Sequence, residues 1–503
     1  MTSSDRKADK TWKFVVKLII SILLLLVQLA FYFFLFFGIN YLKSPHPDMY
    51  KYIYLVVQWI GIICVFLMYR KDINSQYKLS WTIFILLCPF LGTVAFILFG
   101  NGRVLPKRRQ LKMEHYIGAY PLKETSVDTS TLDADFLLIS KELSDESKYP
   151  LYKNNDVIFF KDALDKHNDM IKELSNAKRF IMMEYFIFGK GKIMEELIEI
   201  FERKGRQGIE IYIMFDDVGS LLSKDKKNIE RLNNIPNLHL HIYEPIGLSI
   251  NPRVNYRDHR KMCIIDGNIC YTGGDNIADE YIHLKTRFGY WRDNAIKLSG
   301  NSVESFTNMF ITMWYMSSHE KLDIEKYLPA IHIENDVYAL PFGDGPMNRD
   351  NPGYHLFLNM INSAKKHLYI SSPYFIIDNE MIDAIINKHK QGIDVKVLIP
   401  SIPDKKGVYM MTRAHIGSLL AKGVNVYTYT PGFNHAKNII VDDKYAFIGT
   451  INMDYRSLLL HFENGVLLYN SNEIIKMSND FIEAVDVSEK LLYDDFKKRN
   501  IFL

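Results

Sequence analysis

The chain is poor in several features that mark particular protein classes. Four cysteines in 503 residues are too few for a disulfide scaffold, and none shows the C-x-x-C spacing of a zinc or redox site. Cys64 and Cys88 fall in apolar stretches, Cys263 and Cys270 beside a polar motif, and all four read as small buried hydrophobes. Net charge is nearly absent: 61 basic against 58 acidic side chains leave +3, which argues against a protein built mainly to coat nucleic acid. Apolar residues are not scarce. At 48% hydrophobic and 13% aromatic, the chain is neither intrinsically disordered nor collagen-like. Its length suits about two to four domains with ample core.

Polar residues are nearly missing from three blocks before Gly100. Between Leu18 and Ile39 only Ser21 and Gln28 are clearly polar. As a helix this block reaches about 33 Å, enough to cross a hydrocarbon core. It is longer than the apolar core of a secretory signal peptide and lacks a small-residue cleavage site. The second block carries Gln58, and the third contains Pro89 and Gly92, which membrane helices tolerate better than soluble ones. Two or three transmembrane helices are therefore expected, over 18–39, 53–69 and 79–99. Basic residues divide almost evenly between the two sides, so the positive-inside rule leaves the topology open. Lys107-Arg108-Arg109 next to the third block suits anionic headgroups and favours a cytoplasmic body on a multi-pass cell-membrane protein. Residues 1–100 thus read as a membrane region and 101–131 as a basic juxtamembrane linker.

From about Leu132 onward the chain alternates between strand and helix signals, and it repeats itself. The stretch 175–188 reappears as 362–375, each a helix end, a buried strand and an aromatic pair. Gln207-Gly208-Ile209-Glu210-Ile211 recurs as Gln391-Gly392-Ile393-Asp394-Val395, where glycine closes a helix and β-branched residues open a strand. Leu238–Tyr243 corresponds to Val424–Tyr429. The period is too long for a solenoid, so a duplicated α/β fold is expected: lobes over 132–335 and 336–503, with Pro341–Pro346 as connector.

Each lobe ends in the same polar constellation. His259-Arg260-Lys261 is followed by Asp266, Gly273-Gly274 and Asn276; His435-Ala436-Lys437 by Asp442, Gly449-Thr450 and Asn452. Both read H-x-K-x4-D-x6-G-[GT]-x-N. One copy would be an ordinary solvated strand edge. Two, with the same trailing glycine and asparagine at equivalent repeat positions, are not coincidence. On a strand, residues two apart share a face, so each histidine projects with its lysine. Histidine can attack phosphorus or donate a proton near neutral pH, while lysine and asparagine can stabilise charge on phosphate oxygens. A metal site is the alternative use of histidine and aspartate, but a lysine two residues away repels a divalent cation.

The paired motifs resemble those of the phospholipase D superfamily, and within it the chain is similar to bacterial cardiolipin synthases of the phospholipase D type. The similarity rests on Asn255–Lys261, Gly273–Tyr281, Phe288–Asp293 and Asn452–Ser457, and runs from the second apolar block to near the C-terminus. Asn434 and His461 depart from it, standing where an apolar residue and an asparagine are common. The resemblance implies two phospholipase D-like lobes, mixed sheets flanked by helices, forming one pseudo-twofold body behind a helical transmembrane region. It implies a catalytic set of His259, Lys261, Asp266, His435, Lys437 and Asp442, with His259 as nucleophile and His435 as acid and base. The two aspartates of the motif would organise the local fold. Asn276 and Asn452 would hold phosphate oxygens, and Asp293 and Glu463 would each orient the opposite histidine. The implied reaction is phosphatidyl transfer between two phosphatidylglycerol molecules, through a phosphohistidine, giving cardiolipin and glycerol. Exchange between similar diesters needs no metal and no organic cofactor. The expected partners are phosphatidylglycerol and anionic membrane lipids, not nucleic acid; a homo-oligomer is left open. Rival readings are a membrane-anchored phospholipase D hydrolase, another phosphatidyltransferase, a nuclease of the superfamily, and a phosphate-docking protein without turnover.

Overall fold

The computed structural model describes residues 49–70, 75–100, 132–220, 226–243, 256–346 and 350–494, with a few single positions such as Tyr120 and Phe496. The chain divides near residue 104 into two compact units. The first holds three described helices, Met49–Tyr69, Ser75–Leu87 and Pro89–Phe99. The expected span 18–39 lies outside the described residues, and 53–69 falls within the first of these helices. The expected span 79–99 is not one helix. It breaks at Cys88, whose backbone (φ −127°, ψ 71°) leaves the helical region as a residue before proline tends to. The chain then folds back so that the Trp81 and Phe96 rings lie 5.4 Å apart. The resulting helices of 13 and 11 residues are about 20 and 16 Å long. Among the described residues, no helix is long and apolar enough to cross a membrane.

The second unit carries both lobes. Strands β1 (Asn155–Phe160), β2 (Phe180–Tyr185), β3 (Glu210–Asp216), β4 (Leu238–Tyr243), β5 (Lys261–Ile265), β6 (Ile269–Gly273), β7 (Tyr290–Arg292) and β8 (Ala295–Gly300) belong to the first. The second has β9 (Tyr338–Asp344), β10 (His367–Ser371), β11 (Phe375–Ile376), β12 (Asp394–Pro400), β13 (Asn425–Tyr429), β14 (Gly432–Asn434), β15 (Asn438–Val441), β16 (Tyr445–Gly449), β17 (Met453–Asp454), β18 (Glu463–Tyr469) and β19 (Ser488–Lys490). One sheet runs β1-β8-β6-β5-β2-β3-β4; the other, read from its far edge, runs β9-β18-β16-β15-β10-β12-β13 and adds β19. The orders match strand for strand. In each, the parallel pairs are those joined through helices, β2–β3–β4 and β10–β12–β13. Gly208 (φ 83°) and Gly392 (φ 85°) supply the left-handed turn that leads from a helix into β3 and β12.

The central strands are apolar on both faces because each sheet is covered on both sides. Met182, Met214, Ile264 and Ile296 of the first sheet share one core with Ile440, Ile448, Val466 and Leu468 of the second. The outer faces have cores of their own, under helices such as Lys192–Arg206 and Asn379–Lys390. Two sequence expectations change here. Residues 341–344 of the supposed connector form the end of β9, paired with β18. An edge strand accommodates Pro341 because it needs no inward N–H there. The helix Ala134–Ser147 falls inside the expected first lobe, 132–335, yet it gives Phe136, Ile139 and Leu143 to the core of the second.

Candidate active site

The two motifs enter the centre of the body from opposite lobes. His259 stands just ahead of β5 and His435 just ahead of β15, so each histidine is at a strand entrance and not within the strand. Both entrances are tied to the other lobe. β7 of the first lobe pairs in parallel with β14 of the second, and Asp258 bridges Phe462 in the same sense. The His259 N–H donates to the Phe462 carbonyl at 2.8 Å, and the His435 N–H to the Arg292 carbonyl at 2.7 Å. The residue after each acceptor is a carboxylate. Glu463 therefore meets His259 Nδ1 at 2.9 Å, and Asp293 meets His435 Nδ1 at 2.6 Å, each across the lobe boundary.

Both carboxylates are buried, and the histidines are 8% and 7% exposed. With Nδ1–H donated to a carboxylate, Nε2 of each ring is left with its lone pair free. Burial holds both imidazoles well below their ordinary pKa, with Lys261 next in effect on His259 and Lys437 on His435. Burial also brings Lys261 down to about 7 and Lys437 to about 8, and pushes Asp293 up to about 7 and Glu463 upward. Lys261 Nζ donates to the His259 carbonyl at 2.7 Å, and Lys437 Nζ donates to the carbonyl of His435. Lys437 Nζ is also 2.9 Å from His435 Nδ1, but a protonated Nδ1 bonded to Asp293 has no lone pair to offer it. The result is two neutral rings and two masked ammonium groups in a site almost closed to solvent.

The other motif residues have definite places. Asp266 accepts the backbone N–H groups of Lys178, Arg179 and Phe180, and Asp442 those of Lys365, Lys366 and His367. Each ties the start of a central strand, β2 or β10, to the turn after β5 or β15. Asn276 Oδ1 accepts from the Ile187 N–H at 3.0 Å, while its Nδ2 donates to the Tyr281 hydroxyl at 2.7 Å. Asn452 Nδ2 donates to Ser457 Oγ at 3.1 Å, and its Oδ1 has no hydrogen-bond partner among the described residues.

Further residues complete the site, of which Thr450 and Gly274 stood in the repeated motif without an assigned role. Thr450 Oγ1 donates to Glu463 at 2.6 Å, whereas a Cβ at the equivalent Gly274 would lie 2.1 Å from Asp293 Oδ1. Asn464 joins the lobes by accepting from the Lys261 N–H and donating to Thr272. At the residue before His259, burial pushes the Asp258 carboxyl to about 6, and it raises Glu184 as well, with Asp258 adding to the Glu184 shift and Glu184 offsetting that of Asp258. Neither Asn464 nor Glu184 carried a sequence signal of its own, because each reaches the site only through the folded sheet. Among the described residues, His259, His461 and Glu463 bring three potential metal-ligand atoms within 4.8 Å of one another, as do Glu142, Glu146 and His355. In the first cluster the Glu463 oxygens already serve His259 and Thr450, and Lys261 lies close enough to perturb them.

Two carboxylate-oriented imidazoles and two lysines, one of each from either half of a duplicated sheet, define a two-lobed phospholipase D-like protein. A family model described as "Cardiolipin synthase, PLD-like domain" matches residues 170–314 and 357–485, and one described as "Phospholipase_D-nuclease N-terminal" matches 53–101. The chain is 31% identical to the major cardiolipin synthase ClsA of Bacillus subtilis (strain 168), over 90% of this chain and 95% of the relative. It is also 31% identical to a cardiolipin synthase of Clostridium perfringens (strain 13 / Type A), over 85% and 91%. The chain belongs to the cardiolipin synthase family of PLD-like proteins. Phosphatidylserine synthase of Haemophilus influenzae Rd KW20 shares the fold, with a TM-score of 0.56 at 16% identity over 71% of this chain and 93% of that one.

Proposed function

We propose that the protein joins two phosphatidylglycerol molecules into cardiolipin and releases glycerol. The observation that carries this reading is the crossed pairing of His259 with Glu463 and His435 with Asp293. His259 Nε2 attacks phosphorus as the P–O bond to glycerol breaks, and His435 Nε2 protonates the departing oxygen. The diester's negative charge, together with Asp293, favours the protonated His435 ring needed for that step. In the second half, the hydroxyl of another phosphatidylglycerol gives its proton to His435, its oxygen bonds to phosphorus, and the P–N bond returns its pair to His259. Lys261 and Lys437, with the second Nδ2–H of Asn276 and of Asn452, offer donors to the non-bridging oxygens. No group outside the chain is required by this sequence of bonds.

A diacyl lipid hardly leaves its bilayer, since each buried methylene contributes about 0.8 kcal/mol. The reading therefore includes attachment of the first hundred residues to the membrane, with the body on the cytoplasmic side. In support, Trp59 and Phe66 on the helix Met49–Tyr69 are 61% and 71% exposed, an outward apolar face that suits lipid. Lobe boundaries near 132 and 336 belong to the same reading. The test is purified full-length protein in mixed micelles with labelled phosphatidylglycerol. Cardiolipin plus glycerol supports it; phosphatidic acid alone would make the protein a hydrolase, and no product a docking protein.

A further inference from the structure

The backbone of the site is nearly symmetric, but its walls are not. Trp291 and His461 occupy equivalent positions, two residues before the carboxylates Asp293 and Glu463, and their rings lie 5.4 Å from His435 and 5.5 Å from His259. Tyr281 and Ser457 are likewise equivalent, each bonded to the asparagine five residues earlier. Phe433 and Arg257 both stand two residues before a histidine. His435 is thus walled by three rings, those of Trp291, Tyr281 and Phe433, whereas His259 meets two, Phe186 at 5.0 Å and the polar ring of His461. The aromatic wall is tight: Phe433 is 1%, Tyr281 3% and Trp291 7% exposed, with ring centroids 5.4 to 5.7 Å from His435. The Tyr281 hydroxyl is taken by Asn276. Trp291 Nε1–H is buried and has no partner among the described residues.

The geometry points to Trp291 as the residue that selects a lipid alcohol over water as acceptor, by closing the His435 side of the site and donating Nε1–H to the incoming hydroxyl oxygen. This rests on the function proposed above. The competing reactions differ only in the second step. The P–Nε2 bond of the phosphohistidine breaks while a P–O bond forms, to a glycerol hydroxyl or to water, and the proton goes to His435 in either case. Water gains nothing from a ring-lined wall, whereas the carbon skeleton of a glycerol headgroup packs against it. The free donor supplies the one polar contact such a wall leaves room for, and a buried N–H without a partner is costly until the acceptor arrives.

The test is the ratio of cardiolipin to phosphatidic acid formed in mixed micelles by the full-length protein and by Trp291→His, Trp291→Phe and His461→Asn. Because it is a ratio, partial misfolding of a variant does not affect it. Trp291→His, which copies the polar half, is expected to lower the ratio about tenfold. Trp291→Phe, which keeps the ring and loses the donor, should lower it less and raise KM for the acceptor. His461→Asn, on the other histidine's side, should leave the ratio in place. An unchanged ratio in both Trp291 variants, or a larger shift in His461→Asn, would overturn the inference and leave the proposed function standing. A wild-type protein that makes no cardiolipin would overturn both.

Discussion

The two lobes keep the same sheet order, the same strand entrance for each histidine and the same aspartate tying turn to strand, yet several side chains around the rings differ. Glycine faces threonine, aspartate faces glutamate, tryptophan faces histidine and tyrosine faces serine. What both copies retain is a histidine held by a buried carboxylate of the other lobe, with a lysine beside it. Under the proposed function, the residues that diverged are the candidates for setting which half-reaction each ring serves. A symmetric frame with unlike walls can run two unlike half-reactions at one centre.

The strongest way to break this comparison is to remove each histidine in turn. His259→Ala and His435→Ala should each lower turnover by about 10³-fold or more. Only His435→Ala should accumulate an acid-labile phosphoenzyme from labelled phosphatidylglycerol; the same species in His259→Ala would exchange the two roles. The carboxylates come next. Glu463→Gln and Asp293→Asn should each cost about 10²-fold or more, because the ring tautomer is no longer fixed. Rapid-quench kinetics should show Glu463→Gln slowing phosphoenzyme formation and Asp293→Asn slowing its breakdown.

A smaller effect is the response to pH. Lys261 and Lys437 carry charge below about 7 and about 8 and lose it above, while Asp293 becomes a carboxylate only above about 7. The pH profile of kcat/KM should therefore be bell-shaped, its alkaline limb set by the lysines and its acid limb by Asp293. The alkaline limb in kcat should lie higher, since a bound diester anion favours the charged lysines. Lys261→Arg, which stays charged, should remove the lower step of that limb and leave the upper. The smallest contrast concerns the unlike pair behind the carboxylates. Gly274→Ala forces a contact with Asp293 and should cost about 1–3 kcal/mol of stability, read as a lower Tm. Thr450→Ala removes one hydrogen bond to Glu463 and should cost about 1 kcal/mol.

The duplicated motif was readable because its spacing is local: a strand entrance, an apolar strand and a turn fix His, Lys and Asp within eight residues. Crossing of the carboxylates could be anticipated from the repeat, since a pseudo-twofold brings equivalent segments face to face. The helix Ala134–Ser147 was not readable as part of the second lobe, because nothing in its own residues tells which sheet will cover Phe136. Pro341 and Gly343 looked like a linker, although an edge strand tolerates both. Block 79–99 had the composition of one span, and only the packing of Trp81 against Phe96 shows that the chain reverses at Pro89. The equivalence of Trp291 and His461 showed only once the crossed carboxylates Asp293 and Glu463 were seen to occupy matching places.

Glu463 follows its histidine by 204 residues in the chain, and Asp293 precedes its own by 142. During synthesis the first lobe leaves the ribosome with His259 in place but without the group that fixes its tautomer. The site is therefore complete only when nearly the whole polypeptide has emerged, so a chain truncated before Glu463 should be inert.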